Sequence, residues 1–290
     1  MDFSVIIRAY NAEKYLKDAI NSVLNQRCEC NIEVLVLYDE GSTDKTWSVI
    51  EEIVKNTNLP HNIDLKVIKH PHMSPFRALQ LGFKEARGNY VTILDYDNVY
   101  PPSYLNSIYN NINNYKDVTF FFSRILFINK DGEIISESKT LKNPYDIDRI
   151  IMANFIDVNT IILNKDCKNK IEELLNKLSH VYFDWIFEDW LIAALGLKFC
   201  KPLYIKDAHV LYRIHESNLT FSQRTYDDLK SIFNVEREIK TLIAMLYLFQ
   251  DKKTVKRVLS SLAARYGIFL KRASKTAHIS LPMTLLSAIY

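Results

Sequence analysis

The sequence predicts an α/β protein built on a mostly parallel sheet with helices on its faces. Three observations predict it. Short apolar runs at residues 3–9, 34–37, 65–68 and 90–94 read as buried strands. Segments with helical spacing lie between them, and this alternation is the signature of a parallel sheet. Two of the runs end in carboxylates, Asp39-Glu40 and Asp95-Tyr96-Asp97, at the strand end where open α/β sheets place their ligands.

Taken in order, the first strand passes through Tyr10-Asn11-Ala12 into a helix over 13–25, with Tyr15, Leu16, Ala19, Ile20, Val23 and Leu24 on one face. The second runs into Asp39-Glu40-Gly41-Ser42-Thr43-Asp44. Gly41 permits a sharp turn there, and Ser42 or Thr43 can cap a helix beginning near Asp44. A helix over 76–86, ended by Arg87-Gly88, delivers the chain to the strand before Asp95. Beyond Asp97 the spacing predicts a helix over 103–113, one strand or two over 118–128, and a hairpin turn at Asp131-Gly132-Glu133. Residues 136–160 are polar and carry no clear period. Helices follow over 171–178 and 188–196, the second closed by Gly196, then short strands over 203–205 and 209–213. From Tyr226 onward the pattern is helical.

Composition sets outer bounds. A chain of 290 residues holds one large domain, or one domain and an appendage. At 48% hydrophobic and 24% charged it reads as an ordinary soluble globular protein. No apolar stretch approaches the roughly 18–20 residues of a spanning helix. Met1-Asp2-Phe3-Ser4 lacks the basic and apolar regions of a secretory signal, so a cytoplasmic location is expected. Cys28-x-Cys30 is too tight for a zinc pair and no second pair completes a site. Cys28, Cys30, Cys167 and Cys200 are therefore expected as reduced thiols.

The net charge of +3 is unevenly spread. Residues 252–276 contain Lys252, Lys253, Lys256, Arg257, Arg265, Lys271, Arg272 and Lys275 and no acidic residue, while the preceding chain has an acidic excess. Val255, Val258, Leu259, Leu262, Tyr266 and Phe269 form one apolar stripe on that helix. Such a helix either packs on the domain or lies peripherally on an anionic membrane at its inner face. Nucleic acid is not an expected partner, because no aromatic-interleaved groove or binding module accompanies the charge.

Asp95 and Asp97 offer hard oxygen ligands suited to Mg²⁺ or Mn²⁺, and an ion held there can grip a diphosphate. The plainer alternative is that Asp and Asn cap a turn. The wider pattern favours chemistry. Ser4-Val-Ile-Ile-Arg-Ala-Tyr-Asn11, Asp39-Glu40-Gly41-Ser42-Thr43-Asp44, Asp95-Tyr96-Asp97-Asn98 with Pro101-Pro102-Ser103-Tyr104-Leu105, Glu188-Asp189-Trp190 and Tyr212-Arg213-Ile214-His215 occur in one order. Together they resemble the family-2 glycosyltransferases, inverting enzymes on the GT-A fold. The likeness spans roughly residues 3–220 and is strongest in the first 105.

The resemblance implies a GT-A domain over 1–225, with a nucleotide-binding half (1–100) and an acceptor half (101–225), and a helical extension over 226–290. It implies transfer of a hexose-type sugar from a nucleotide-sugar donor to a glycan, lipid-linked or protein acceptor, with Mg²⁺ or Mn²⁺ as cofactor. Asp97 would be the direct metal ligand, Asp95 would reach the metal or the ribose, and His215 would be a third ligand. Asp39 would accept the imide N–H of a uracil- or thymine-type base, with Ala9, Tyr10 and Glu40 around the nucleotide and Arg213 neutralising the diphosphate. Asp189 would be the general base, with Glu188 the next candidate. Arg8-Ala9 departs from the usual Pro-Thr, Glu40 from a second aspartate, and Ala78-Leu79-Gln80-Leu81-Gly82 from a helix that normally carries an arginine; Arg77 lies nearby. The competing readings are a sugar nucleotidyltransferase, disfavoured because no glycine follows the first strand, and a non-catalytic nucleotide-sugar-binding module.

Overall fold

The computed structural model describes residues 1–178, 183–216 and 228–273, the side chains of 228–232 and 271–273 excepted. Strands β1 (Phe3–Ala9), β2 (Ile32–Asp39), β3 (Ile63–His70) and β4 (Tyr90–Asp95) alternate with helices α1 (Leu16–Leu24), α2 (Thr46–Asn56) and α3 (Pro75–Glu85). They pair in parallel in the order β3-β2-β1-β4, as the alternation predicts. After α4 (Tyr104–Asn114) come β5 (Phe120–Ile128), β6 (Ile134–Glu137), α5 (Ile147–Met152), a 3₁₀ turn (Val158–Thr160) and β7 (Ile162–Asn164). The chain continues through α6 (Lys165–Asn176), α7 (Glu188–Phe199), β8 (Pro202–Arg213), α8 (Asp228–Leu248) and α9 (Lys252–Ala273). The sheet is extended by β7 antiparallel to β4, β5 antiparallel to β7, β6 antiparallel to β5, and β8 parallel to β5.

Successive β1 side chains serve opposite faces, as pleating requires. Phe3, Val5, Ile7 and Ala9 pack with Leu16, Ile20, Val23 and Ile50 on one side. Ile6 joins Leu35, Leu37, Phe76, Leu79 and Phe83 on the other. That second cluster continues through α6 and α7 into Leu242, Met245, Leu248, Phe249 and Val258, so α8 and α9 share the core of the sheet. Among the described residues no helix is long and apolar enough to cross a membrane.

Several expectations are corrected. The runs 203–205 and 209–213 form one strand, β8, whose register shifts opposite Ser123/Arg124; that irregularity is what broke the apolar pattern. Gly196 does not close α7, which continues to Phe199. Neither Ser42 nor Thr43 caps α2: Asp44 Oδ1 accepts from the Thr46 N–H at 3.0 Å. The four cysteines are not free, because the fold brings them together as Cys28–Cys30 (Cα–Cα 5.2 Å) and Cys167–Cys200 (Cα–Cα 5.7 Å). The α9 stripe is split, with Val258 and Phe269 buried but Leu259 and Tyr266 48% and 39% exposed. Lys275 and the chain after it lie outside the described residues, as do the side chains of Lys271 and Arg272.

Candidate active site

The site is assembled at the carboxyl ends of β2, β1 and β4, which are neighbours in the sheet: Tyr38 is paired with Ala9, and Arg8 with Asp95. At the β2 end, Asp39 is nearly buried. Its Oδ1 accepts from the Gly41 N–H at 2.8 Å, and its Oδ2 lies 3.0 Å from His72 Nδ1. A Cβ on Gly41 would fall 2.8 Å from the His72 Cβ, so this close turn requires glycine. The Tyr10 ring stacks on His72 with centroids 4.8 Å apart and is 44% exposed. Asn11, at φ 47°, accepts the Thr43 N–H on Oδ1 at 2.8 Å and so pins the two strand exits together. Tyr10, His72 and the Asp39 carboxylate therefore lie together at the strand exits. The Ala9 methyl lies in the core, so only its backbone borders this group. The exposed Glu40 donates its N–H to the His70 carbonyl.

Just after β4, Asp97 and His215 come together, with His215 Nε2 3.0 Å from Asp97 Oδ2. Two cis ligands about 2.1 Å from an octahedral ion stand roughly 3.0 Å apart, so this pair fits a small divalent cation. Among the described residues no three His, Cys, Asp or Glu side chains are grouped as a metal site. Small oxygen-seeking cations commonly complete such partial sites with substrate phosphates and water. Tyr15 stacks on His215 at 4.8 Å and lies under the Arg213 guanidinium at 4.7 Å, fixing both. Arg213 itself is buried: it donates to the carbonyls of Asp97 and Lys130 at 3.0 and 2.9 Å and to Asp18 Oδ2 at 3.0 Å. These bonds hold the Asp97 peptide in place. Asp95 is clasped on both oxygens, by Arg8 Nη2 at 2.8 Å and Asn159 Nδ2 at 3.2 Å.

Across Arg8 from Asp95 is the first turn of α7. Its leading N–H groups are bare of a side-chain cap at Phe187, but the Phe187 N–H donates to Thr241 Oγ1 on α8 at 2.9 Å. Glu188 Oε1 accepts from Arg8 Nη1 at 2.7 Å, and Arg237 Nη2 stands 3.9 Å from Oε2. Asp189 Oδ2 accepts from Asn154 Nδ2 at 3.1 Å. Burial, then the adjacent Glu188 charge, push the Asp189 carboxyl up to about 7. Burial lifts Asp157 to about 6 and also raises Asp97, against the opposing hydrogen bond from His215. Burial works against the Arg8 charge, and Asp95 and Glu188 outweigh it, so its pKa stands above the ordinary value.

Arg8 thus joins Asp95 to Glu188, next to Asp189, while Asp97 pairs with His215 and Asp39 with His72 near Tyr10. Sequence reasoning did not find His72, Asn159, Arg237 or Thr241, and treated Arg8 only as a departure. For Arg8 a signal existed: strand alternation sets it opposite Ala9, on the face that α7 covers. Arg77, the nearby arginine, pairs with Asp184 at 2.6 Å.

A mostly parallel sheet flanked by helices, with carboxylates at its strand ends, has the GT-A architecture of glycosyltransferases. The description Glycosyl transferase family 2 matches residues 4–175, and the chain belongs to that family. An uncharacterized glycosyltransferase of Haemophilus influenzae is 31% identical over 246 residues, covering 81% of this chain and 72% of its own. The minor teichoic acid biosynthesis protein GgaA of Bacillus subtilis is 37% identical over 110 residues, which span 37% of this chain and only 24% of GgaA. The crystal structure of S. aureus TarS 1-349 with UDP-GlcNAc superposes with TM-score 0.65 at 18% identity, covering 98% of this chain and 78% of that one. That likeness carries the GT-A architecture.

Proposed function

We propose that this chain is an inverting, divalent-cation-dependent glycosyltransferase that moves a hexose-type sugar from a nucleoside-diphosphate donor, UDP- or dTDP-linked, to an acceptor hydroxyl on a glycan, lipid-linked sugar or protein. The observation that carries the reading is that Arg8 ties Glu188, next to Asp189, to Asp95, two residues before the Asp97–His215 pair. Residues 1–225 form the catalytic unit and 226–290 the extension, whose described helices α8 and α9 pack on that unit. The base stands against Tyr10, its imide N–H directed at Asp39, and UDP-GlcNAc in TarS supports a uracil there. Asp97 and His215 would hold Mg²⁺ or Mn²⁺, which would supply positive charge to the departing diphosphate. Arg213 fixes the Asp97 peptide and contributes positive charge behind it. Asp189 takes the proton of the attacking acceptor hydroxyl, the positive end of α7 offsetting only part of the burial and Glu188 charge that raise it. The match to GgaA supports an acceptor in surface-polymer or glycoconjugate synthesis. The exposed face of α9, with Lys252, Lys253 and Lys256 leading into Leu259, Tyr266 and Leu270, supports peripheral contact with an anionic membrane.

The test is release of nucleoside diphosphate from a panel of UDP-, dTDP- and GDP-sugars by the full chain, with Mn²⁺ and with EDTA. Release from a UDP- or dTDP-sugar that falls at least tenfold in EDTA is expected. Turnover unchanged in EDTA would remove the cation. No turnover and no donor-dependent rise in melting temperature would favour neither enzyme nor donor-binding module.

A further inference from the structure

Arg8 occupies a position that the transfer chemistry described above leaves without a role. It is the penultimate residue of β1, and the pleat turns it toward α7, away from the core that receives Ala9. Its side chain is only 17% exposed and both of its terminal nitrogens are engaged. Nη2 donates to Asp95 Oδ1 at 2.8 Å, while Nη1 donates to Glu188 Oε1 at 2.7 Å and to the Pro75 carbonyl at 3.3 Å. The two carboxylates it joins come from residues distant in sequence, Asp95 at the end of β4 and Glu188 at the start of α7.

The contacts on either side extend this link. Asn159, 1% exposed, accepts the Asp95 N–H on Oδ1 at 2.6 Å and donates from Nδ2 to both Asp95 and Asp157. Beyond Glu188, Arg237 donates to the Ile186 carbonyl at 3.0 Å and covers the Phe187 ring at 4.1 Å. A continuous polar chain therefore runs Asn159–Asp95–Arg8–Glu188–Arg237 from the sheet edge to the helix that carries Asp189. Remove its middle cation and two poorly hydrated carboxylates face each other across the gap, each disfavouring the other. A guanidinium is suited to this task because its planar donors meet two carboxylates in one fixed geometry, which an ammonium does not reproduce.

We propose that Arg8 is a positioning residue for glycosyl transfer: by locking Glu188 to Asp95 it sets the first turn of α7, and with it Asp189, at a fixed distance from the donor. The proposal rests on the glycosyltransferase reading. Arg8 acts through its two carboxylates and does not itself bind the donor. A misplaced base costs rate and leaves donor affinity alone, because the base contacts the acceptor hydroxyl and not the nucleotide.

The experiment uses the full chain with Arg8→Met, Arg8→Lys, Glu188→Gln and the double variant Arg8→Met/Glu188→Gln. Nucleotide release is followed from the donor that the wild type turns over. Arg8→Met should lower kcat roughly 100-fold with donor KM within about threefold of wild type. Arg8→Lys should recover about tenfold of that loss, and the double variant should be no slower than Arg8→Met within about threefold, since both changes break one lock. A raised KM at unchanged kcat would make Arg8 a donor contact instead. Multiplying losses in the double variant, or a lysine no better than methionine, would also overturn the proposal. Urea midpoints of the same four proteins give a readout that needs no substrate: the two single shifts should fail to add. Additive shifts would sink the lock even if no donor were turned over, whereas absent turnover with coupled midpoints would count against the transferase reading alone.

Discussion

Asp189 is asked to be charged in a place that discourages charge. To act as the proposed base it must be ionised, yet burial and the neighbouring Glu188 lift its carboxyl to about 7. Below that pH the protonated form accumulates and the base is lost, so kcat should fall about tenfold per unit as pH drops under 7 and level off above it. The stability consequence has the opposite sense. The folded pKa lies above the unfolded value of about 3.9, so the folded state holds the proton more tightly and stability declines as pH rises from about 4 to 7. Asp189→Asn should therefore reduce transfer at least 1,000-fold with donor KM nearly unchanged, and melt no lower than wild type at pH 8. A melting temperature clearly below wild type would mean the carboxylate is held by favourable contacts instead. Asp95, Asp97, Asp189 and His215 were singled out from sequence because each sits in a short motif with a recognisable neighbour. Asn159 was not: it is one asparagine in a polar stretch, and only the pairing of β7 with β4 sets it against Asp95.

Among the elements, α7 shows best what a linear reading can mistake. Gly196 resembles a stop signal, since glycine commonly follows a helix end. In the folded chain it lies inside the helix, where an added Cβ would stand 2.5 Å from Phe120 Cε2. Phe120 is fully buried between neighbours and cannot swing away. The glycine exists for helix–sheet approach. Gly196→Ala should consequently destabilise the protein by about 1–3 kcal/mol, although alanine is the better helix former by roughly 1 kcal/mol. Urea unfolding decides, and a more stable variant would show that α7 can shift outward at no cost. The parallel strands were legible because a short, uninterrupted apolar run bounded by turn residues suits little besides a buried strand. β7 was not, being only Ile162–Asn164, and β8 was read as two pieces because its irregular centre exposes Lys206 and Asp207.

For the whole molecule, charge and exposure concentrate at one end. The described outer face of α9 combines lysines with Leu259, Tyr266 and Leu270, at 48%, 39% and 44% exposure. Helical spacing alone groups the apolar residues of α9 on a single stripe; the structure divides them between the core and the outside, a distinction that depends on how α9 leans on α5 and α8. Vesicles containing anionic lipid should carry the full chain into the pellet, and Leu259→Ser/Tyr266→Ser should weaken that sedimentation several-fold at low salt. Equal pelleting of the two proteins would assign the face to solvent. Cysteine pairing was equally out of reach of composition, because Cys167 and Cys200 meet only once α6 and α7 lie side by side.

Thr241 and Arg237 belong to α8, yet what they steady is the opening turn of α7. Trimming the protein to its first 225 residues would discard both and loosen the turn that carries Asp189, the proposed base. Anyone exchanging acceptor preference between such proteins would have to move this late helix as one piece with the residues it braces.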